Sequence, residues 1–194
     1  GDNDVQRTLK LLAERNFKLS LFWDKATGLT LVGDPEAIVV FKKTYLTIET
    51  PFGPQEIQPE ALTASDQAFG ILSRFLATET QKALIVIDYA DAALPDGSMS
   101  MLQEQDRKAV VVSQIWGRSD AIGSKGHMIV LVADVLQALH QNVRSAAAHY
   151  HVVRVPYPNH EEREAFASKA EAPFEMSVRE FANMTSGLNY LQLE

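Results

Sequence analysis

The hydrophobic positions of this chain follow two kinds of repeat, one helical and one extended. Apolar residues recur at helical spacing over 4–16, 63–77 and 101–116, with polar and charged residues between them. Two other runs, 83–87 and 128–132, are unbroken hydrophobe, the pattern of strands buried on both faces of a parallel sheet. Their alternation predicts an α/β fold with helices on both faces of a mostly parallel sheet.

Shorter patterns supply the remaining elements of the α/β part. Alternating runs at 19–23 and 29–32 flank a polar loop ending in Gly28, which predicts a β-hairpin. Asp34-Pro35 can open a helix that carries the apolar run 37–41, although the β-branched residues of this run also suit a strand. The other expected elements are a strand over 45–49, a helix over 135–145 and a third core strand over 151–155.

Beyond residue 156 the pattern becomes helical only. The expected helices cover 159–171, 177–184 and the beginning of a third over 188–194. We therefore predict an α/β core over residues 1–156 and a smaller, partial helical unit over 157–194. Gly1 stands where an initiator methionine would, so we also expect the chain to be a piece of a longer protein.

Charge and cysteine content narrow the class of protein. Lys and Arg number 18 against 25 Asp and Glu, and the resulting net charge of -7 argues against broad binding to nucleic acid or to an acidic membrane surface. With 0 Cys there is no thiol nucleophile, thiolate metal site or disulfide, which favours a reducing, cytoplasmic setting. No apolar run approaches the roughly 20 residues that span a bilayer.

An acidic residue follows the more hydrophobic of the two buried runs. Residues 83–87 lead directly into Asp88, and Asp91 comes three positions later. In nucleotide-hydrolysing α/β folds an Asp at this place holds Mg²⁺, directly or through water, because the strand aims its carboxylate into the crevice that binds the phosphates. The alternative is that Asp88 caps the turn or helix that follows it.

The segment Ile87-Asp88-Tyr89-Ala90-Asp91 resembles the Walker B segment of the AAA+ ATPases, with Tyr89 in place of their Glu. Further along, 128–133 resembles the strand that leads to the sensor 1 residue, and Asp134 stands nearest the usual Asn. The stretches 153–163 and 178–188 resemble the junction to the helical lid and the lid's helix and turn. The resemblance implies a P-loop NTPase-like three-layer αβα sandwich followed by the start of a small lid domain.

Residues 5–29 resemble the beginning of bacterial and plastid-encoded AAA proteins, in which a degenerate ATPase-like module precedes an intact one. This second resemblance implies a Walker A sequence downstream of Glu194 in the parent protein. Arg144 falls where AAA+ proteins present an arginine finger to a neighbour's nucleotide. An Arg late in a helix also commonly serves the helix terminus or a surface ion pair, so both roles stay open.

Two parts of the ATP-hydrolysing machinery are missing from the sequence. A P-loop needs glycines that wrap phosphate, then Lys and Ser or Thr. The nearest stretches are Gly33-Asp34-Pro35-Glu36, with one Gly and two acids, and Lys43-Thr44, with no Gly-rich loop before it. Tyr89 replaces the Glu that polarises the attacking water, and a phenol with a pKa of about 10 is a poor base at neutral pH. We therefore predict weak or absent ATP and Mg²⁺ binding, with Asp88 as the magnesium ligand and Asp91 beside it if nucleotide binds.

Three functions compete on this sequence. The leading one is a degenerate nucleotide-binding, oligomerisation and regulatory module that contacts a catalytic AAA domain of the parent chain or other protomers. The first alternative is an active ATPase with an unconventional phosphate loop over 33–44. The second is a protein-interaction domain that uses the loop 51–59 or 95–100. A metal site on the five histidines is disfavoured, because no carboxylate cluster shows ligand spacing.

Overall fold

A four-stranded sheet is the centre of the computed structural model, which describes residues 4–169, 176–188 and 190–193. Its strands are β1 (Leu19–Asp24), β2 (Gly28–Gly33), β5 (Leu84–Ile87) and β6 (Met128–Leu131), in the order β2-β1-β5-β6. β1 runs antiparallel to β2 and parallel to β5, and β5 runs parallel to β6. The mostly parallel sheet is therefore confirmed. A separate hairpin pairs β3 (Thr47–Thr50) with β4 (Gly53–Glu56).

Helices precede β1, lie between β2 and β3, between β4 and β5 and between β5 and β6, and follow β6. The helices of the first 150 residues are α1 (Asp4–Asn16), α2 (Pro35–Tyr45), α3 (Ser65–Thr78), α4 (Ala90–Ala93), α5 (Glu104–Arg118), α6 (Asp120–Gly123) and α7 (Gln141–Arg144). The ambiguous run 37–41 is helical, because Asp34 caps α2 by accepting a hydrogen bond from the Glu36 N–H at 2.8 Å and Pro35 occupies the first turn. Residues 4–16 are confirmed as helical.

The main core lies between the sheet and helices α2, α3 and α5. β5 is fully buried at all of its positions, as the unbroken hydrophobic run predicts. Trp23 of β1 packs edge-on against Phe69 of α3, with ring centroids 5.5 Å apart, and Trp116 of α5 stacks on the same Phe69 at 4.8 Å. Both tryptophans are therefore core residues.

The predicted third strand over 151–155 is wrong, and so is the prediction that β6 is fully buried. Residues 151–155 have no regular secondary structure and pair with no strand of the described sheet, and Val153 is exposed. The chain turns before them, since His149 has a positive φ of 62° and the Tyr150 hydroxyl donates to the Ser113 carbonyl of α5 at 2.9 Å. As a result β6 is an outermost strand of the described sheet, and its Met128 is exposed.

The helix predicted over 135–145 is also wrong in its central part. Leu136–Ala138 forms a single 3-10 turn, and α7 begins only at Gln141. Between them Leu139 bridges Pro95 as an isolated antiparallel pair, and the His140 N–H donates to the Leu94 carbonyl at 2.8 Å. These cross-chain hydrogen bonds replace the helical ones, because tertiary pairing outweighs a weak local propensity.

The chain divides into two compact units, Lys10–Val152 and a second one formed by Gly1–Leu9 with Val153–Glu194. The described helices of the second unit are α8 (His160–Lys169), α9 (Val178–Met184) and α10 (Tyr190–Leu193), close to the three expected there. Residues 170, 171, 189 and 194 of those predictions, and the expectation about Gly1, lie outside the described residues. The domain boundary after residue 156 stays a prediction.

A buried arginine joins the first two helices of this second unit. The Arg163 guanidinium of α8 donates to the Ala182 carbonyl of α9 at 2.9 Å and to the Pro158 carbonyl. Ser177 and Glu180 form a reciprocal capping box at the start of α9. Asn159 opens α8 in the same manner, because its side chain accepts from the Glu162 N–H at 2.9 Å. Both helix starts therefore follow from local sequence.

His127 ties the start of β6 to the start of β5. Its Nδ1 accepts from the Ala83 N–H at 3.2 Å, and its Nε2 lies 3.3 Å from the Glu79 carbonyl. Desolvation lowers the pKa of His127 below 6.5, and the positive charge of Lys125 lowers it further. The hydrogen bond to the Glu79 carbonyl acts in the opposite direction and raises the pKa. Protonation of Nδ1 would break the bond to Ala83.

We expect His127 to make the free energy of unfolding fall in acid. Because its folded pKa is depressed, its contribution is fully present above the unfolded pKa of about 6.5 and is lost as the pH falls from there through the folded pKa. Urea unfolding from pH 7.5 to pH 5 should show a shallower decline in His127→Gln than in the wild type. The exposed His151→Gln is the control, and an identical decline in all three proteins would contradict the assignment.

Within the described parts of the chain, no helix has the length and hydrophobicity needed to cross a membrane.

Candidate functional site

The parallel strands β1, β5 and β6 end at one edge of the sheet, and Asp88 lies there as the sequence predicts. It is nearly buried, and its backbone N–H donates to the Trp23 carbonyl of β1 at 2.8 Å. Its carboxylate accepts from the Tyr89 N–H at 3.0 Å. The carboxylate therefore stabilises the turn after β5, while the N-cap position of α4 is Tyr89, so both the magnesium role and the capping role of Asp88 stay predictions.

Tyr89 occupies an unusual backbone conformation directly after Asp88. Its φ of 45° and ψ of 48° lie in the left-handed region, which costs a residue with a Cβ roughly 1–2 kcal/mol. The side chain is 51% exposed, and the neighbouring Ala90 N–H donates to the Val132 carbonyl beyond β6 at 2.7 Å. The strained turn thus links the ends of β5 and β6 and leaves an exposed phenol at the position where the resemblance predicts the Walker B Glu.

In the loop after β1, two backbone N–H groups donate hydrogen bonds to a side chain of the same loop. Asp24 ends β1, and its Oδ1 accepts from the N–H groups of Ala26 at 2.7 Å and Thr27 at 2.8 Å. The Thr27 hydroxyl donates to the other carboxylate oxygen of Asp24. The Ala26 and Thr27 N–H groups are therefore engaged by a carboxylate of their own turn, which stabilises the β1–β2 hairpin.

A charged pair at the same edge was not found from the sequence. The Lys25 ammonium donates to Asp106 Oδ1 of α5 at 2.9 Å and to the Ala92 carbonyl of α4 at 3.3 Å. Asp106 is nearly buried, and the Ser65 hydroxyl at the start of α3 lies 3.3 Å from its Oδ1. Nothing in the sequence distinguished this Lys in a turn or this Asp in a first helical turn, because their meeting depends on how the helices pack.

The other two acidic candidates, Asp91 and Asp134, are more exposed to solvent than Asp88. Asp91 is half-buried in the first turn of α4, and Asp134 is exposed beyond the end of β6. Ile87 at the end of β5 pairs with Leu131 at the end of β6. Asp91 and Asp134 follow these two strand ends and therefore lie on the same side of the sheet as Asp88. Across the described residues, no group of three or more His, Asp or Glu could hold a metal ion.

Arg144, the candidate arginine finger, forms an ion pair within its own unit. Its guanidinium lies 3.4 Å from Asp96 Oδ2. The other carboxylate oxygen, Asp96 Oδ1, accepts a hydrogen bond from the Gln141 N–H at 3.3 Å. Desolvation acts to raise the pKa of Asp96, but hydrogen bonds from the Gly97 and Gln141 backbone and the charge of Arg144 hold that pKa below its usual value. The pair ties α7 to the loop after α4, which is the surface-pair alternative.

The stretch 33–44 lies at the opposite edge of the sheet. Gly33 pairs with Leu19 at the start of β1, whereas Asp88 follows Ile87, the partner of Trp23 near its end. Since strands rise about 3.3 Å per residue, roughly 13 Å of strand separates the two edges. A cavity of about 260 Å³ at this amino edge is lined from both ends of α2, by Asp34 and Tyr45.

Comparison with known proteins agrees with this architecture. Residues 5–156 match the family described as AAA+ chaperone, N-terminal Rossmann-like domain. No curated protein matches the chain. Among solved structures, the chain is similar to part of one titled "Structure of E. coli MS115-1 HORMA:CdnC:Trip13 complex", at 20% sequence identity and a TM-score of 0.47. That similarity covers 64% of this chain and 44% of the other, so the chain spans less than half the length of this relative.

The family match spans most of the chain and includes every strand of the main sheet together with the Asp88 turn. The chain therefore belongs to the family of AAA+ chaperone N-terminal Rossmann-like domains.

Proposed function

We propose that this chain is a degenerate AAA+ module that serves oligomerisation and regulation in a larger protein and hydrolyses ATP weakly or not at all. The observation that carries the proposal is the state of the loop after β1, whose N–H groups bind the Asp24 carboxylate instead of a phosphate. The sequence has no Gly-rich loop with Lys and Ser or Thr to take over that role. An α/β core over 1–156, the start of a lid over 157–194 and a cytoplasmic location are parts of the same proposal.

The residues at the carboxyl edge do not fit Mg·ATP. Magnesium in nucleotide sites needs one or two carboxylates together with substrate phosphates, and those phosphates need N–H donors or cations. Asp88 can supply a carboxylate, but Lys25, the cation at this edge, is held by Asp106. The exposed Tyr89 cannot act as a general base at neutral pH.

The geometry also weighs against an active ATPase with an unconventional phosphate loop over 33–44. Such a loop would have to deliver phosphate to Asp88, yet it lies at the amino edge of the sheet. Local packing also explains why residue 33 is a glycine, because a Cβ there would lie 2.2 Å from the Lys18 carbonyl oxygen. Its φ of 140° and this close approach explain the glycine without a ligand.

Mg·ATP should therefore produce no phosphate release above the protein-free rate, and calorimetric titration should give no micromolar affinity. Tyr89→Glu is the informative variant, since it restores the missing base but not the phosphate cradle, and it should remain inactive. Asp88→Asn is its control. Micromolar binding with sustained release that Asp88→Asn abolishes would instead establish the active ATPase.

One observation favours the protein-interaction alternative for the segment 51–59. Phe52 at the tip of the β3–β4 hairpin is 100% exposed, which is unusual for a large aromatic side chain. Aromatic residues are frequent anchors of protein interfaces. Oligomerisation and protein interaction are therefore compatible functions of one module.

A further inference from the structure

The cavity at the amino edge of the sheet is separate from the Asp88 edge and has a volume of about 260 Å³. Its walls are one face of α2, the end of α3 and the residues at the starts of β1 and β5. Sites for drug-sized ligands have volumes of about 300–1,000 Å³, so this cavity suits a smaller molecule. Its lining therefore indicates which small molecule would fit.

The floor of this cavity is apolar and aromatic. Phe41 and Tyr45 of α2 and Phe75 of α3 line it and are nearly buried, and the ring centroids of Phe41 and Phe75 lie 5.2 Å apart. Val40 also lines the cavity, and its side chain is 59% exposed. Removing such apolar surface from water is favourable by about 25 cal/mol per Å². The floor therefore suits a large apolar or aromatic group.

Two neighbouring lysines border the cavity. Ser20 of β1 pairs with Leu84 of β5, and Lys18 and Lys82 stand two residues before this pair, so the lysines lie side by side. Among the described residues neither lysine forms a salt bridge. The Lys82 ammonium lies 5.7 Å from the centroid of the Phe17 ring, a cation–π contact that uses none of its N–H donors. A carboxylate bound between the lysines would relieve the repulsion of their like charges.

Acidic side chains border the same cavity. Asp34, Glu36 and Glu79 line it, and in the part of the chain that the structure describes none of them pairs with either lysine. The Asp34 N–H donates to the Lys18 carbonyl at 2.8 Å, so the acidic start of α2 lies directly beside the lysines. Asp34 and Glu79 accept hydrogen bonds from backbone N–H groups of their own turns. The cavity therefore combines unpaired positive and negative groups over an apolar floor.

We propose that this cavity binds a free amino acid with a large apolar or aromatic side chain. Lys18 and Lys82 bind its carboxylate, Glu36 binds its ammonium group, and its side chain packs against Phe41 and Phe75. An amino acid carries both charges on one carbon atom, which matches the meeting of the lysines and the acidic start of α2. A residue within a peptide lacks these charges, and the phosphates of a nucleotide would meet three acids. The inference goes beyond the proposed module function and does not depend on it.

A chemical-shift titration of the isotope-labelled chain with L-phenylalanine tests the class of ligand. Hydrocinnamate lacks the ammonium group, phenethylamine lacks the carboxylate, and L-alanine lacks the aromatic group. Because a hydrogen bond to a charged group contributes about 1.5–3 kcal/mol, each single-charge analogue should bind at least about tenfold more weakly than L-phenylalanine. L-alanine should also bind more weakly. No saturable shift with L-phenylalanine up to its solubility limit would overturn the proposal, and equal affinity for hydrocinnamate would overturn the amino-acid assignment.

Variants of the rim test the location of the site. The double variant Lys18→Gln, Lys82→Gln should bind L-phenylalanine at least about tenfold more weakly. Glu36→Gln should weaken L-phenylalanine binding and leave the affinity for hydrocinnamate unchanged. All three side chains are exposed and form no salt bridge in the described ranges, so folding should be retained. Lys43→Gln, at an exposed lysine of α2 outside the cavity lining, is the matched control and should bind as the wild type does. Equal affinity for L-phenylalanine in all of these proteins would overturn its placement in this cavity.

Discussion

Replacing Trp23 by alanine is expected to lower the free energy of unfolding by about 3–5 kcal/mol, the range for removing a large buried aromatic side chain. Trp23 is 1% exposed, on an inner strand of the sheet, and its ring packs against Phe69 of α3. Its indole N–H also donates to the Leu62 carbonyl at 2.6 Å. Alanine would therefore leave a cavity between the sheet and α3 and remove the donor to Leu62.

Urea unfolding followed by far-ultraviolet circular dichroism measures this loss without relying on tryptophan fluorescence. Trp23→Phe is the intermediate variant, because phenylalanine keeps part of the ring contact with Phe69 while it removes the N–H donor and the rest of the indole ring. That variant should lose about 1–3 kcal/mol, which includes both the lost N–H donor and the smaller volume of the phenyl ring. A Trp23→Ala protein within about 1 kcal/mol of the wild type would mean that the core does not depend on this residue.

Gly117→Ala should destabilise the chain by about 3 kcal/mol, the upper part of the usual range for overpacking. A Cβ on Gly117 of α5 would lie 1.9 Å from the Ala148 carbonyl oxygen and 3.0 Å from the Tyr150 ring. The first neighbour is backbone and cannot rotate away. Either α5 or the segment around residue 148 would have to move, which would disturb the hydrogen bond from Tyr150 to Ser113.

Gly70→Ala is the matched control, because it makes the same change inside a helix where a Cβ meets nothing within 4 Å. It should stabilise the chain by about 1 kcal/mol through helix propensity alone. Thermal and urea unfolding of the two variants should thus move in opposite directions. Equal effects would show that propensity, and not the approach of Ala148, governs both positions.

Local patterns were sufficient for the elements that carry their own signal. The unbroken hydrophobic run predicted β5 as a buried strand, and the polar loop ending in Gly28 predicted the β1–β2 hairpin. For the run 37–41 the local signals conflicted, since Asp34 and the adjacent Pro35 favoured a helix while the β-branched residues suited a strand, and the structure shows the helix. Each of these signals acts between residues that are close in the chain, so no knowledge of the fold was needed.

Segments whose partners lie far away in the chain were predicted less well. Residues 151–155 have the composition of a strand, but they have no neighbouring strand in the described sheet, and Tyr150 is bound to α5 instead. Leu139 and His140 lie in a helical pattern, yet they pair with the segment after α4. Burial and hydrogen-bond partners outweigh propensities of a few tenths of a kcal/mol in such segments.

The same division applies to the candidate site. The position of Asp88 at the end of a buried strand and the absence of a Gly-rich loop with Lys and Ser or Thr can be read directly from the order of residues, whereas the replacement of a Walker B Glu by Tyr89 stays a prediction from the resemblance. Only the folded structure shows that Lys25 contacts Asp106. It also shows that the Ala26 and Thr27 N–H groups donate to Asp24, and that Gly33 and Asp88 lie at opposite ends of the strands. These contacts depend on strand order and helix packing, which join residues that no short-range pattern relates.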